Sequence, residues 1–284
     1  MDDVVQYCSV EEFCLHHYSV NGLPDGLHAE GAVLNSFLGL LFWDIIYMDV
    51  PDAFRDPGQA LPLDWDTDNF FKARESFIQI RLAELRSLDI EEVAAQVIDS
   101  WISHFGVISL INWNLFSSEE KLRDLILCFD PVSLAAVMER MIRDHRSTRS
   151  GLPDLTVWNS KTKELKCVEV KGPGDRLSTK QILWVRFLNN SGINCEVCHV
   201  LPVGSMYGGI GKSPIRKTPI KETAETESVS VEEVIDPGII TTAGDSCIEI
   251  NIDVDVEKKI KVKRGRKHRK RILKGQGSDE EFVA

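Results

Sequence analysis

The chain has 284 residues, 43% of them hydrophobic, which is enough for one large domain or two smaller ones with a real core. Seven scattered cysteines, an odd number, argue against a disulfide-built secreted domain and for reduced thiols. The longest apolar run, residues 37–48, is too short to span a bilayer and is interrupted by Asp44, and "MDDVVQ" at the start is no secretory signal, so no membrane partner is expected.

The first 147 residues read as mostly helical. "SVEEFCLHHYS" opens with Ser9 as an N-cap and Glu12 three residues on, the spacing of a capping box. His16 and His17 point about 100° apart on such a helix, a poor geometry for sharing a metal. A second helix is predicted from about Glu30 to Met48. Residues 50–68, "VPDAFRDPGQALPLDWDTD", are turn-rich because their prolines break helix. Helical patterns resume at about 70–86, 90–104, 118–128 and 132–146. Serines and acids open the third of these, where the helix dipole favours them. "VISLINW", residues 107–113, suits helix or strand equally. Trp43, Trp101, Trp113 and Trp184 are expected in the core.

The pattern changes at Gly151. "DLTVWN" and "ELKCVEVK" are short and rich in β-formers. Ser178 caps a helix of about 179–190, which Gly192 stops, and "INCEVCHVL" reads as a further strand. Within it, "CEVCH" matches the c-type haem pattern and the CxxC spacing. As a strand, however, it places Cys195, Val197 and His199 on one face and Cys198 on the other, and the cysteines read as small hydrophobes. Residues 204–257 turn rich in Ser, Thr, Gly, Glu and Pro and read as an acidic, mostly disordered linker. "CIEINIDVDVEKKIKVK" alternates apolar with polar and can form a strand, without an evident partner.

Charge is unevenly placed. Residues 258–274 hold eleven Lys or Arg and no acid, so the formal charge of −11 becomes −22 elsewhere. "KRGRKHRKR", residues 263–271, suits a nuclear localisation signal, an auxiliary DNA-binding arm, or a merely solvated tail.

A symmetric hairpin around Ser160 to Lys163 pairs Asp154 with Glu169 and Leu155 with Val168. Glu169 and Lys171 then share a face with Asp154, while Val168 and Val170 point the other way. An Asp in a turn and a Glu-x-Lys on a strand are by themselves most often a solvated face. Here Glu169 sits inside an apolar "CVEV" strand, where a carboxylate costs energy unless paired or bound to metal. Two carboxylates this close repel, and a divalent cation removes the conflict. Oxygen ligands with open positions suit Mg²⁺ or Mn²⁺. Lys171 beside the ion can orient an attacking water or stabilise charge on phosphorus, an assembly suited to phosphodiester hydrolysis.

"PD…EVK" resembles the PD-(D/E)xK nuclease superfamily, and "GLPDLTVW…VEVKGPGDRLSTKQILW" resembles the VRR-NUC domain. With "GLHAEGAVLNSFLGLLFWDIIYMDVPDAFRD" upstream, residues 1–203 are similar to the C-terminal portion of the Fanconi-associated nuclease family, structure-specific DNA repair enzymes. The resemblance implies an α/β fold: a helical lobe over 1–88 contributing Glu30, a restriction-endonuclease-like mixed-sheet VRR-NUC domain over 89–203, then the linker and a disordered basic tail over 258–284. It implies a Mg²⁺ or Mn²⁺ site of Glu30, Asp154, Glu169 and the Val170 carbonyl, with Lys171 in the catalytic lysine position. Arg146, Lys180 and Gln181 fall at positions the family uses around a 5′-phosphate, Gln181 also orienting the active site. The implied substrate is branched or 5′ flap DNA, the setting nuclear interstrand crosslink repair. A non-catalytic DNA-binding scaffold and a junction-resolving activity are the alternatives. The ubiquitin-binding zinc finger, SAP domain and helical-repeat region of the wider family are not found, so ubiquitin-dependent recruitment is not expected.

Overall fold

The computed structural model describes residues 6–202, 247–252 and 260–262. In chain order these form β1 (Gln6–Cys8), α1 (Val10–Val20), β2 (Asp25–His28), α2 (Ala32–Leu41), α3 (Trp43–Ile46), α4 (Asp68–Ser87), α5 (Ile90–His104), α6 (Glu119–Ile126), α7 (Pro131–Arg143), α8 (His145–Thr148), β3 (Leu155–Asn159), β4 (Glu164–Lys171), α9 (Thr179–Asn190), β5 (Cys195–Pro202), β6 (Cys247–Ile252) and β7 (Ile260–Val262). Most of the longer helices begin where the sequence supplies a cap. Ser9 with Glu12, Asp89 with Glu92 and Ser178 with Gln181 each form a reciprocal capping box, satisfying amides a helix start would otherwise leave unpaired.

The main sheet has the order β2-β3-β4-β5-β6, antiparallel from β2 to β4 and parallel from β4 to β6. Its central hairpin pairs Leu155 with Val168 and Asn159 with Glu164, the predicted register. The alternation therefore splits the strands cleanly. Leu155, Val157, Val168, Val170, Cys198 and Val200 pack against Cys14 and Tyr18 of α1. Trp158, Cys167 and Cys195 face the other way, joining α9 through Trp184 and Leu188 in a larger core that runs on through α2 to α7. Cys195 and Cys198 thus lie on opposite faces of the sheet.

Four local readings change. The helix predicted over 30–48 starts late, because Glu30 (φ 44°) and Gly31 (φ 86°) are both left-handed, and no helix continues through that conformation. It also breaks at Phe42, where Arg81 Nη1 donates to the freed Leu41 carbonyl. The 132–146 helix stops at Arg143, since Asp144 leaves the helical conformation (φ −151°, ψ 75°) and instead caps α8 by accepting from Ser147 N. Residues 107–113 form turns and bends, neither helix nor strand.

"CIEINI" finds a partner as β6, parallel to β5, and residues 260–262 pair with β1. The remainder of the linker and the 263–271 basic run lie outside the described residues. Trp101 and Trp184 are buried, and Trp43 and Trp113 are half-buried. Among the described residues no helix is long and apolar enough to cross a membrane.

Candidate active site

Asp154 lies one residue before β3. Its carbonyl accepts from Ala29 N (3.1 Å) and Glu30 N (3.3 Å), which ties the end of β2 to the hairpin. Its carboxylate reaches across to β4, Oδ2 accepting from Val170 N at 2.8 Å. Glu169 is fully buried. Its Oε1 accepts from Lys171 Nζ and from Gln181 Nε2, both at 2.5 Å. Its Oε2 is buried with no partner among the described residues. Burial pushes the Glu169 carboxyl up to about 7, the nearby Asp154 carboxylate adds to the rise, and Lys171 opposes it. Lys171 is itself buried, on the same face two residues on. The predicted triplet therefore comes together at one end of the hairpin.

α9 closes this face. Gln181 is its third residue: its Oε1 accepts from Ser178 N at 2.8 Å while its Nε2 holds Glu169. Both ends of the amide are engaged, one on the α9 cap and one on Glu169. Lys180, exposed in the first turn, donates from Nζ to Ser150 Oγ at 2.8 Å. Gly151 (φ 85°) lets the 150–154 turn press against α9, for a Cβ there would lie 2.7 Å from Lys180 Cβ and 3.1 Å from Gln181 N.

The remaining predicted residues sit at the margin. Arg146 is exposed on α8. Val170 turns its side chain to the α1 face, leaving only its backbone on offer. Glu30 is placed beside Asp154 by its backbone, but its carboxylate is 78% exposed and 3.8 Å from His28 Nε2. Among the described residues no three His, Cys, Asp or Glu side chains converge as they stand on a metal position. Sequence reasoning passed over His145, buried beside Arg146 and bonded at both ring nitrogens. Only its place in the folded chain singles it out.

A divalent cation suits what is present. Asp154 and Glu169 are hard oxygen donors, and the buried, unpartnered Oε2 is a lone pair that folding leaves without compensation.

Residues 89–202 match the model of the VRR-NUC domain family, and the mixed sheet with its acidic-lysine cluster agrees with that match. Over those residues the chain is similar to the VRR-NUC domain family. Over most of its length it resembles Fanconi-associated nuclease 1. It is 45% identical to the Mus musculus protein over 72% of this chain and 20% of that one. It is 44% identical to the Homo sapiens protein over the same shares. The Schizosaccharomyces pombe homolog is 37% identical over 68% of this chain and 27% of its own length. A crystal structure of paFAN1 bound to 2-nt 5′ flap DNA with a gap superposes with a TM-score of 0.61 at 28% identity, covering 70% of this chain and 38% of that one. The chain spans about a fifth of the length of the animal relatives it matches.

Proposed function

We propose that this chain is a divalent-metal-dependent, structure-specific DNA nuclease, cutting branched or 5′ flap DNA from a 5′-phosphate end, in interstrand crosslink repair in the nucleus. The observation that carries the reading is Glu169: a fully buried carboxylate beside Asp154 and Lys171, with one oxygen held by two donors and the other unpartnered. A fold keeps such a group at a cost unless something binds it.

Asp154 and Glu169 would hold Mg²⁺ or Mn²⁺, with the Val170 carbonyl and with Glu30 once its exposed carboxylate swings inward. When bound, such an ion supplies charge neutralisation and an activated water. Gln181 and Lys171 fix Glu169 Oε1 and so leave the buried Oε2 as the open donor. Lys171 Nζ positions the attacking water and balances charge developing on phosphorus. Lys180 and Arg146 hold the terminal phosphate, and the positive end of the α9 dipole adds to the attraction. The naming of the relatives and the flap DNA in the paFAN1 structure support this substrate class. The basic run 263–271 supports nuclear entry. A non-catalytic scaffold is disfavoured because it has no need of a buried glutamate set between an aspartate and a lysine.

The test is a metal-titrated cleavage assay on a 5′-phosphorylated flap, a four-way junction and a nicked duplex. Cleavage requires Mg²⁺ or Mn²⁺ and favours the flap. Asp154→Ala and Lys171→Ala each lower it by about 10²–10⁴-fold, the range for losing a group that acts on the reacting atoms, with circular dichroism unchanged. Wild-type rates in either variant would overturn the assignment, and preference for the junction would move the activity to junction resolution.

A further inference from the structure

His145 is a buried titratable group to which the mechanism above gives no task. It opens α8, next to Arg146. Nδ1 lies 3.2 Å from Asp66 Oδ1, in the turn leading to α4, and Nε2 lies 3.2 Å from Asn35 Oδ1 on α2. The Asn35 amide is oriented by its own Nδ2, which donates to Gly31 O at 3.2 Å. Both atoms that face the ring are therefore acceptors, and only a ring protonated at both nitrogens satisfies them. A neutral ring sets lone pair against lone pair at one end, or turns Asn35 and loses the bond to Gly31. Asp66 uses its other oxygen to accept from Arg149 Nη1 at 2.8 Å. One carboxylate thus grips α8 at both ends, with exposed Arg146 between them. A single helical turn has no stability of its own, so these contacts set where Arg146 points. Through Asn35 they reach the start of α2, directly after Glu30 and Gly31.

We propose that His145 is a positioning residue which, as an imidazolium, locks the Arg146 turn to α2 and holds the terminal-phosphate grip in register with the metal side of the site. The inference rests on the reading of Arg146 given above. Burial lowers the pKa of His145, while the hydrogen bond and charge of Asp66, with Asp144, favour the cation and Arg149 opposes it. From α2 the ring meets the neutral Asn35 amide, and the Trp65 ring lies 4.8 Å away, tilted by 46°. Burial makes the proton costly to the fold, yet the tie is complete only with it. The tie is therefore whole at low pH and lost as pH rises through the pKa of His145.

The experiment pairs a ¹⁵N-histidine NMR titration, assigned with His145→Gln, with Kd for 5′-phosphorylated and 5′-hydroxyl flap DNA in EDTA, where hydrolysis stops. The preference for the phosphorylated end falls about tenfold as pH rises through the His145 transition, equivalent to one pKa unit of coupling. By reciprocity, bound phosphorylated DNA raises that transition by about one unit. Asp66→Asn keeps the acceptor without the charge and moves both transitions to lower pH, whereas His145→Gln removes the pH dependence. A purely structural role would move Tm but not this dependence. A ring that stays a single neutral tautomer wherever the preference changes would overturn the inference, as would a preference that His145→Gln leaves intact. Absence of any phosphate preference in the wild type would sink the Arg146 reading instead. The tie is then judged by amide exchange over 145–149, which His145→Gln must accelerate; unchanged exchange would overturn it.

Discussion

At the scale of single residues, the acidic-lysine cluster was legible because strand alternation and hairpin register together fix which side chains share a face. Asp154, Glu169 and Lys171 follow from the two strands and their short turn. What a strand pattern cannot carry is the bonding of each oxygen, and it is there that Glu169 acquires its chemistry. Its carboxyl titrates near 7 in the metal-free fold against an ordinary value of 4.5, chiefly through burial. The sign follows from linkage. The folded state holds this proton more tightly than the unfolded chain, so the contribution to stability is full below about 4.5 and lost as pH rises through about 7. A cation that needs the ionised form competes with that proton, so its affinity climbs about tenfold per pH unit until the carboxyl is ionised. Thermal unfolding in EDTA and in Mn²⁺ across pH 5 to 8.5 measures this. The metal-induced rise in Tm is expected to be small at the acid end and to level off above about 7, and Glu169→Gln should flatten it. Equal rises at both ends would show that the ion binds elsewhere.

At the scale of elements, helices were the most readable part, because their start signals are local: Ser9 and Ser178 cap where the sequence places them. The strand β2 was not readable. "DGLH" contains residues that disfavour strands, and its pairing with Leu155–Trp158 arises only once the hairpin exists. The left-handed pair Glu30–Gly31 was equally hidden, since a first-turn acid looks the same on paper. The contact that joins these elements at the site is the 150–154 turn against α9. Gly151→Ala would place a Cβ 2.7 Å from Lys180 Cβ in a left-handed conformation. The conformation alone costs about 1–2 kcal/mol, and relief of the clash requires α9 to move with Gln181 and Lys180 on it. Denaturant unfolding should therefore show a loss of about 2 kcal/mol or more, and cleavage should fall further than the folded fraction does. Ser178→Ala is the gentler control, costing about 1 kcal/mol through the lost Gln181 N to Ser178 Oγ cap while leaving both side-chain bonds of Gln181 in place. A Gly151→Ala protein with wild-type stability and cleavage would mean that this packing does not position the site.

At the scale of the whole molecule, the body and the tail pull in opposite electrostatic directions. A chain of formal charge −11 is a poor ligand for DNA on average, and the body without residues 258–274 carries −22. On the function proposed above, Arg146 and Lys180 hold DNA against a repulsive background, and the 258–274 run is the one large reservoir of positive charge in the sequence. Replacing the seven Lys and Arg of 263–271 with Gln and Ser leaves β7 and its pairing with β1 untouched. If the run contacts phosphates, flap-DNA affinity falls and the slope of log K against log salt flattens by about 0.9 for every phosphate contact removed. Single-turnover cleavage of saturating substrate should hold, because no group at Glu169 is touched. The salt slope is the deciding quantity, since a lost nuclear address changes location in the cell and leaves it unaltered. A slope equal to the wild type's would assign the run to targeting alone and leave the whole grip on DNA to the cations around α8 and α9.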